Sequence, residues 1–221
     1  DSPAMAGRYP QSCHLDNFYR MTLGMRKQWP ALPLAILILM PQITLSDAPP
    51  ELTHQLIINE MMAGSEVNPE KDHWFELYNP TDQEILLFGW QIRGVTEGGS
   101  WINLVEEDYR AIQPHDFFLI SHYTNSRSSA LAVRPQVNKS SIQFPPGPLQ
   151  IELKDPEGQL TDQVYLERAA DESEFRSYER HQPFADGLLA ENWLRATKAI
   201  HLKENLIQTF ATPFSPNSEV L

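Results

Sequence analysis

The amino-acid sequence predicts an all-β fold, a sandwich or a barrel of short strands, for the chain after residue 46. Short apolar runs with alternating polarity recur about every 8–12 residues, and turn-forming sequences separate them. No amphipathic helical pattern lies between these runs. The 221 residues also include 18 prolines. Because proline is excluded from helix interiors and central strands, this number favours many short strands and turns.

The first two strands show the pattern most clearly. Residues 56–60 (LIINE) are an apolar run that ends in Asn59 and Glu60. Residues 74–80 (WFELYNP) alternate side chains between two faces and close on an Asn-Pro turn. Eight strands are predicted in all, over residues 54–62, 74–79, 84–87, 90–95, 100–104, 117–122, 149–154 and 163–166.

The segment before residue 47 has the parts of a secretory signal peptide. A basic start at Met25, an apolar run over residues 31–40 and small residues near its end predict a cut before Asp47. An uncleaved interfacial anchor and a buried helix remain alternatives, while a membrane span takes about 20 apolar residues. A cleaved signal predicts an exported protein, either periplasmic, cell-surface or secreted.

The predicted domain organisation has four parts. Residues 1–24 are an unstructured upstream extension or result from a start site placed too early, and residues 25–46 are the signal peptide. Residues 47–166 form the β-sandwich. Residues 167–221 are a C-terminal extension that wraps the sandwich.

Charge and cysteine content limit the classes of partner. The chain has 17 Lys and Arg against 29 Asp and Glu, a net charge of −12, with Cys13 as its single cysteine. Such a surface repels phosphate backbones, so no nucleic-acid partner is expected. No intramolecular disulfide can form. A membrane contact is expected only through an uncleaved leader.

Glu60 and Glu76 are the most plausible carboxylates for chemistry. Together with Asp72 they would serve a metal-dependent hydrolase if the three converged in one pocket. The structural interpretation, which we favour, is that Asn59 and Glu60 cap a strand end and bond the neighbouring turn. We therefore predict no catalytic residue and no metal ligand.

Trp74 and Trp90 have two interpretations as well. They could form a ligand-stacking platform, as in a carbohydrate-binding module, but burial in a sandwich core is favoured. The acidic run of residues 171–174 lacks the glycine and alternating ligands of a calcium loop, so a solvated loop is favoured over a weak calcium site. No cofactor is predicted, since the chain has no glycine-rich phosphate-binding motif.

Taken in order, these segments resemble the lamin tail domain family in its bacterial, exported form. Later matches are residues 112–120, 149–164, 177–180 (SYER) and 212–217 (TPFSPN). The motif residues, predicted to be structural, are Asn59, Glu60, Trp74, Glu76, Tyr78, Asn79, Gly89 and Trp90.

The resemblance implies an immunoglobulin-like β-sandwich and a non-enzymatic, exported interaction or scaffold module. It also implies a protein or cell-envelope partner. Two alternatives stay open. One is a carbohydrate- or calcium-binding surface module, and the other is an accessory protein of a metal-dependent hydrolase.

Overall fold

A computed structural model of the chain describes residues 55–168 and 175–218. The first strands are β1 (Ile57–Ala63), β2 (His73–Tyr78), β3 (Ile85–Leu86), β4 (Gln91–Arg93), β5 (Ile102–Asn103), β6 (Ala111–Ile112) and β7 (Phe117–Ser121). The later strands are β8 (Val137–Asn138), β9 (Leu149–Lys154), β10 (Leu160–Leu166), β11 (Phe175–Arg176), β12 (Tyr178–Arg180), β13 (Trp193–Arg195) and β14 (Thr209–Phe210). A single 3-10 turn, Ala190–Asn192, is the one helical element in the described residues.

Two sheets carry the architecture. Sheet I has six strands in the order β13-β12-β1-β2-β7-β8, antiparallel except for the β7–β8 pair. Sheet II has four antiparallel strands in the order β10-β9-β4-β5. Two short ribbons, β3–β6 and β11–β14, complete the pairing.

The main core fills the space between the two sheets. Side chains that alternate along each strand place one face of every strand in this core. Sheet I contributes Ile58, Phe75, Leu77, Phe118 and Ile120, and sheet II contributes Ile92, Ile151, Leu153 and Val164. Trp90 and Trp193 pack in the same cluster.

A second, smaller core covers the opposite face of sheet I. It contains Met62, Trp74, Leu119, Leu131 and Ala211. Because both faces of the central strands are buried, β1 and β2 consist almost entirely of buried residues, polar ones included. This second core is made with the C-terminal part of the chain, so that part belongs to the fold.

The predicted all-β sandwich is confirmed, and each of the eight predicted strands overlaps an observed one. The sequence did not predict β6, β8 or the four strands β11–β14, which have two or three residues each. The predicted signal peptide and the acidic run of residues 171–174 lie outside the described residues. Within the described ranges, no helix has the length and apolar character that a membrane crossing requires.

Candidate functional site

Three glutamates lie side by side on the outer face of sheet I, the face turned away from sheet II. In the strand register Glu60 of β1 stands opposite Glu76 of β2 on one side and Glu179 of β12 on the other. The three are 0–2% exposed. Like charges directly opposite in a sheet are destabilising, so this glutamate row needs a specific chemical compensation.

A C-terminal strap, residues 209–218, crosses the outer face of sheet I and covers the glutamate row. For Glu60, the backbone N–H of Thr212 donates to Oε1 at 2.9 Å, and the hydroxyl of Ser177 donates to the same oxygen at 2.6 Å. For Glu76, the N–H of Phe214 donates to Oε2 at 2.6 Å. These neutral donors replace the water that burial removes.

Glu179 is bonded in the same way at the other end of the row. The backbone N–H of Ser218 donates to its Oε2 at 2.8 Å, and the Ser218 hydroxyl lies 3.1 Å from its Oε1. No ion pair between these three carboxylates and a lysine, arginine or histidine is found among the described residues. The strap therefore holds the row with hydrogen bonds alone.

The Thr212 hydroxyl lies between two carboxylates of the row. Its oxygen lies 2.7 Å from Glu179 Oε1 and 3.3 Å from Glu60 Oε2. A hydroxyl has one proton to donate, and the shorter contact takes it to Glu179. The contact with Glu60 is then attractive only if Glu60 is protonated and donates to the Thr212 oxygen.

The pKa values of the row also favour a protonated Glu60. Burial, followed by the charge of Glu179, raises the pKa of Glu60 from 4.5 to about 8. Burial and then the charge of Glu60 raise the pKa of Glu76 well above its usual value. Desolvation is the larger cause in both cases, because a charged carboxylate loses its hydration in a buried site.

Two asparagines join the row to the strap. Asn59 lies at a register shift in β1, where a bulge turns its side chain toward Glu76. The Asn59 side-chain amide donates to Glu76 Oε1 at 3.0 Å. Asn217 of the strap donates to the Asn59 side-chain oxygen at 3.2 Å and to the Arg180 carbonyl at 2.7 Å.

Below the bulge a buried ion pair connects the two sheets. The Arg180 guanidinium lies 2.8 Å from both oxygens of Asp162 on β10, and both side chains are completely buried. The freed N–H of Ile58 donates to Asp162 at 2.8 Å. Arg180 Nη1 also donates to the Pro183 carbonyl at 3.2 Å, whereas its Nε has no hydrogen-bond partner among the described residues. Most polar atoms of the pair are thus bonded, which limits the cost of burying the two charges.

The prediction that Glu60 caps a strand end and bonds the neighbouring turn is wrong. Glu60 lies within β1 and not at its end, and its hydrogen-bond donors are Ser177 and Thr212, which are 117 and 152 residues away. The turn after β1 is instead closed by Asp72, which accepts bonds from the Ser65 hydroxyl and the Ser129 N–H.

The predicted burial of both tryptophans is confirmed, but they lie in different cores. Trp90 is 3% exposed in the main core, and Trp74 is 1% exposed in the second core under the strap. Trp74 is on the outer face because it alternates with Phe75 along β2. Neither indole is available as a stacking platform.

The remaining motif residues shape turns and a cavity. Asn79 donates to the carbonyls of Gln83, Ile112 and Gln113 and so fixes the turn after β2. Gly89 adopts a φ of 83°, which favours glycine. The ring of Tyr78 lies 5.0 Å from that of Phe117, and both line a cavity of about 260 Å³ beside the strap.

The three carboxylates weighed for hydrolase chemistry do not converge. Glu60 and Glu76 are neighbours in the row, whereas Asp72 bonds Ser65 and Ser129 beyond the start of β2. In residues 55–168 and 175–218, no group of three or more His, Cys, Asp or Glu is arranged to hold a metal ion.

Sequence reasoning missed Glu179, Thr212 and Asn217 as parts of the site. Both segments that contain them, residues 177–180 and 212–217, stood out in the sequence only through the family resemblance. Their contacts with β1 could not be predicted from a local sequence pattern, because the partners are more than 100 residues apart.

Comparison with known families places these observations in context. Residues 49–168 match the model of the Lamin Tail Domain. No curated protein matches the chain with significant similarity. The fold of this family is immunoglobulin-like, in agreement with the two packed antiparallel sheets described above. Because the matched segment is more than half of the 221 residues, the chain belongs to the lamin tail domain family.

Proposed function

We propose that this protein is an exported, non-enzymatic interaction and scaffold module whose partner is a protein of the cell envelope. The lamin tail domain is a family of non-catalytic, immunoglobulin-like domains, which supports an interaction role. The carboxylates of the glutamate row are enclosed under the strap as hydrogen-bond acceptors, so these three groups are not accessible to a substrate.

What supports partner binding most directly is an exposed apolar surface at edge strand β10. The loop 183–189 lies along this edge, with the Tyr165 N–H donating to the Gly187 carbonyl. Phe184 is 68% exposed, and the exposed leucines Leu188 and Leu189 lie in the same loop. Exposed apolar clusters of this kind mark interaction surfaces.

A crosslinking experiment tests the partner surface. A photo-crosslinking residue is placed at Phe184 and, as a matched control, at Ile207, which is 82% exposed on a different segment. We expect a discrete crosslinked envelope protein from position 184 only, and we expect Leu188→Asp to abolish it without lowering the melting temperature. Equal crosslinking from both positions, or none from position 184, would contradict the proposed surface.

Export is tested separately. The signal-like segment before Asp47 predicts that mass spectrometry of the envelope or secreted fraction finds an N-terminus near that residue. Full-length protein confined to the cytoplasm would overturn this part of the proposal. The carbohydrate-binding alternative has no platform in Trp74 or Trp90, because both are buried.

A further inference from the structure

We propose that the strap is a proton-dependent latch: it stays closed on sheet I while the glutamate row keeps its extra proton, and it opens when that proton is lost. The opening would uncover the outer face of sheet I as a regulated surface. This inference concerns regulation and does not depend on the export or the partner proposed above.

The Thr212 hydroxyl links two glutamates of the row through the strap. Its oxygen lies 2.7 Å from Glu179 Oε1, to which it donates, and 3.3 Å from Glu60 Oε2, from which it can accept a bond only while Glu60 is protonated. Loss of the Glu60 proton places two lone-pair-bearing oxygens in contact at 3.3 Å with no hydrogen between them. This contact between the strap and β1 is thereby lost, while the Thr212 N–H still donates to Glu60 Oε1.

The charges that face the row are almost all negative. β1, β2 and β12 each contribute one glutamate, and strap residues 212–218 contribute no titratable side chain. Asp116 adds a weak repulsion to Glu76. The neighbouring charges of Asp162 and Arg180 are already paired with each other.

The histidines at the margin of the strap do not neutralise the negative charge of the row either. The ring of His201 bonds the Pro213 carbonyl through Nδ1. His115, near Pro216 across the cavity, is bonded to Asp82. A deprotonated row would therefore hold adjacent negative charges with no cation directed at them from the described residues.

The strap itself contains a strained residue. Phe214 has a φ of 57°, a left-handed conformation that is unfavourable for a bulky side chain. Its N–H is held by Glu76 at 2.6 Å. Such a conformation persists only when its surroundings enforce it, so a strap that leaves sheet I is also released from the strain at Phe214.

Opening would expose a defined surface. Ala211 of the strap packs with Met62, Trp74 and Leu119 in the second core. These side chains are 0–1% exposed while the strap is closed. The latch therefore couples the proton content of the row to the accessibility of an apolar face.

The test measures the accessibility of one buried strap position. Ala211→Cys, which is fully buried, and Ile207→Cys, which is 82% exposed, are each made in the full chain carrying Cys13→Ser. Labelling rates with a thiol reagent are measured at pH 6, 7 and 8. The ratio of the Ile207→Cys rate to the Ala211→Cys rate cancels the titration of the thiol and gives a protection factor.

Loss of one proton on opening predicts that the protection factor falls about tenfold per pH unit. In a Glu60→Gln background it should fall much less, because the amide mimics the protonated acid and only Glu76 remains to lose a proton. Glu157→Gln, on an exposed turn, is the matched control and should behave as the unaltered chain. A constant protection factor without Glu60→Gln, or an equal fall with it, would overturn the latch.

A second measurement needs no introduced cysteine. Binding of 1-anilinonaphthalene-8-sulfonate reports exposure of the second core in the unaltered chain. We expect its fluorescence to rise between pH 6 and 8 and to rise much less with Glu60→Gln. The same rise in both proteins would count against the latch.

Discussion

The free energy of unfolding should fall as the pH rises from 6.5 to 8, and the glutamate row is the reason. The pKa of Glu60 is 4.5 in the unfolded chain and about 8 in the folded one, mainly because of burial. The folded state therefore binds an extra proton between these values. Its stabilising contribution is complete below pH 4.5 and is lost as the pH rises through 8.

His73 acts in the opposite direction at lower pH. Burial lowers its pKa from 6.5 to about 4, so the folded state lacks a proton that the unfolded chain binds in that interval. Its contribution is complete above pH 6.5 and is lost as the pH falls. Between pH 4.5 and 6.5 the effects of Glu60 and His73 on the free energy of unfolding change with pH in opposite directions and cancel. Above pH 6.5 the effect of His73 is constant, and only the effect of the glutamates still changes.

The expected size follows from one pKa unit being worth about 1.4 kcal/mol. From pH 6.5 to 8 the loss is about 2 kcal/mol, and Glu76, whose pKa is also raised by burial, adds to it in the same direction. For a chain of this size about 2 kcal/mol corresponds to roughly 4–8 °C in melting temperature. The lowered pKa values of Glu66 and Glu106 act below pH 4.5, outside this interval.

Urea unfolding followed by tryptophan fluorescence at pH 6.5 and 8 measures the effect. Glu60→Gln should be as stable as the unaltered chain at pH 6.5 and should lose less stability at pH 8. Its amide oxygen accepts the bonds of Ser177 and Thr212, and its amide nitrogen donates to the Thr212 hydroxyl. Glu157→Gln serves as the control. A free energy of unfolding that is equal or higher at pH 8 in the unaltered chain would refute the reasoning.

Two further predictions concern the ion pair and the main core. Arg180→Met leaves Asp162 buried and unpaired, so it should cost about 3–5 kcal/mol in urea unfolding; Arg93→Met, at an exposed ion pair, should cost far less, and equal losses would contradict the assignment. Trp90→Ala should cost about 3–5 kcal/mol because it opens a cavity in the core. The half-buried Trp101→Ala is its control, and a urea midpoint that hardly moves in Trp90→Ala would place that indole outside the core.

The sequence was sufficient for the long strands and insufficient for the short ones. A period of two is visible over the six or seven residues of β2 or β10. It cannot be recognised in β8 or β14, which have two residues each. Those strands exist because a neighbour pairs with them, as β7 pairs with β8, and such pairing leaves no local pattern.

The candidate site was predictable only in part for a related reason. Carboxylates are almost never fully buried unless paired, so a glutamate in a strand predicts an exposed face. Glu60 and Glu76 were identified as motif residues, but their burial depends on a strap more than 130 residues further along the chain. Residue order cannot show which distant backbone N–H groups will serve as donors.

The glutamate row is completed by residues that lie outside the segment matched by the family model. Residues 49–168 include β1 and β2 but neither β12 nor the strap. Without the later segment, β1 would be an edge strand, and Glu60 and Glu76 would face water side by side as ordinary charged residues. The extension pairs β12 with β1, buries the row and adds Glu179 to it. The contacts that close the fold beyond the family segment are therefore the same contacts that bury Glu60 and raise its pKa, so completion of the fold and the predicted pH dependence of stability have one structural cause.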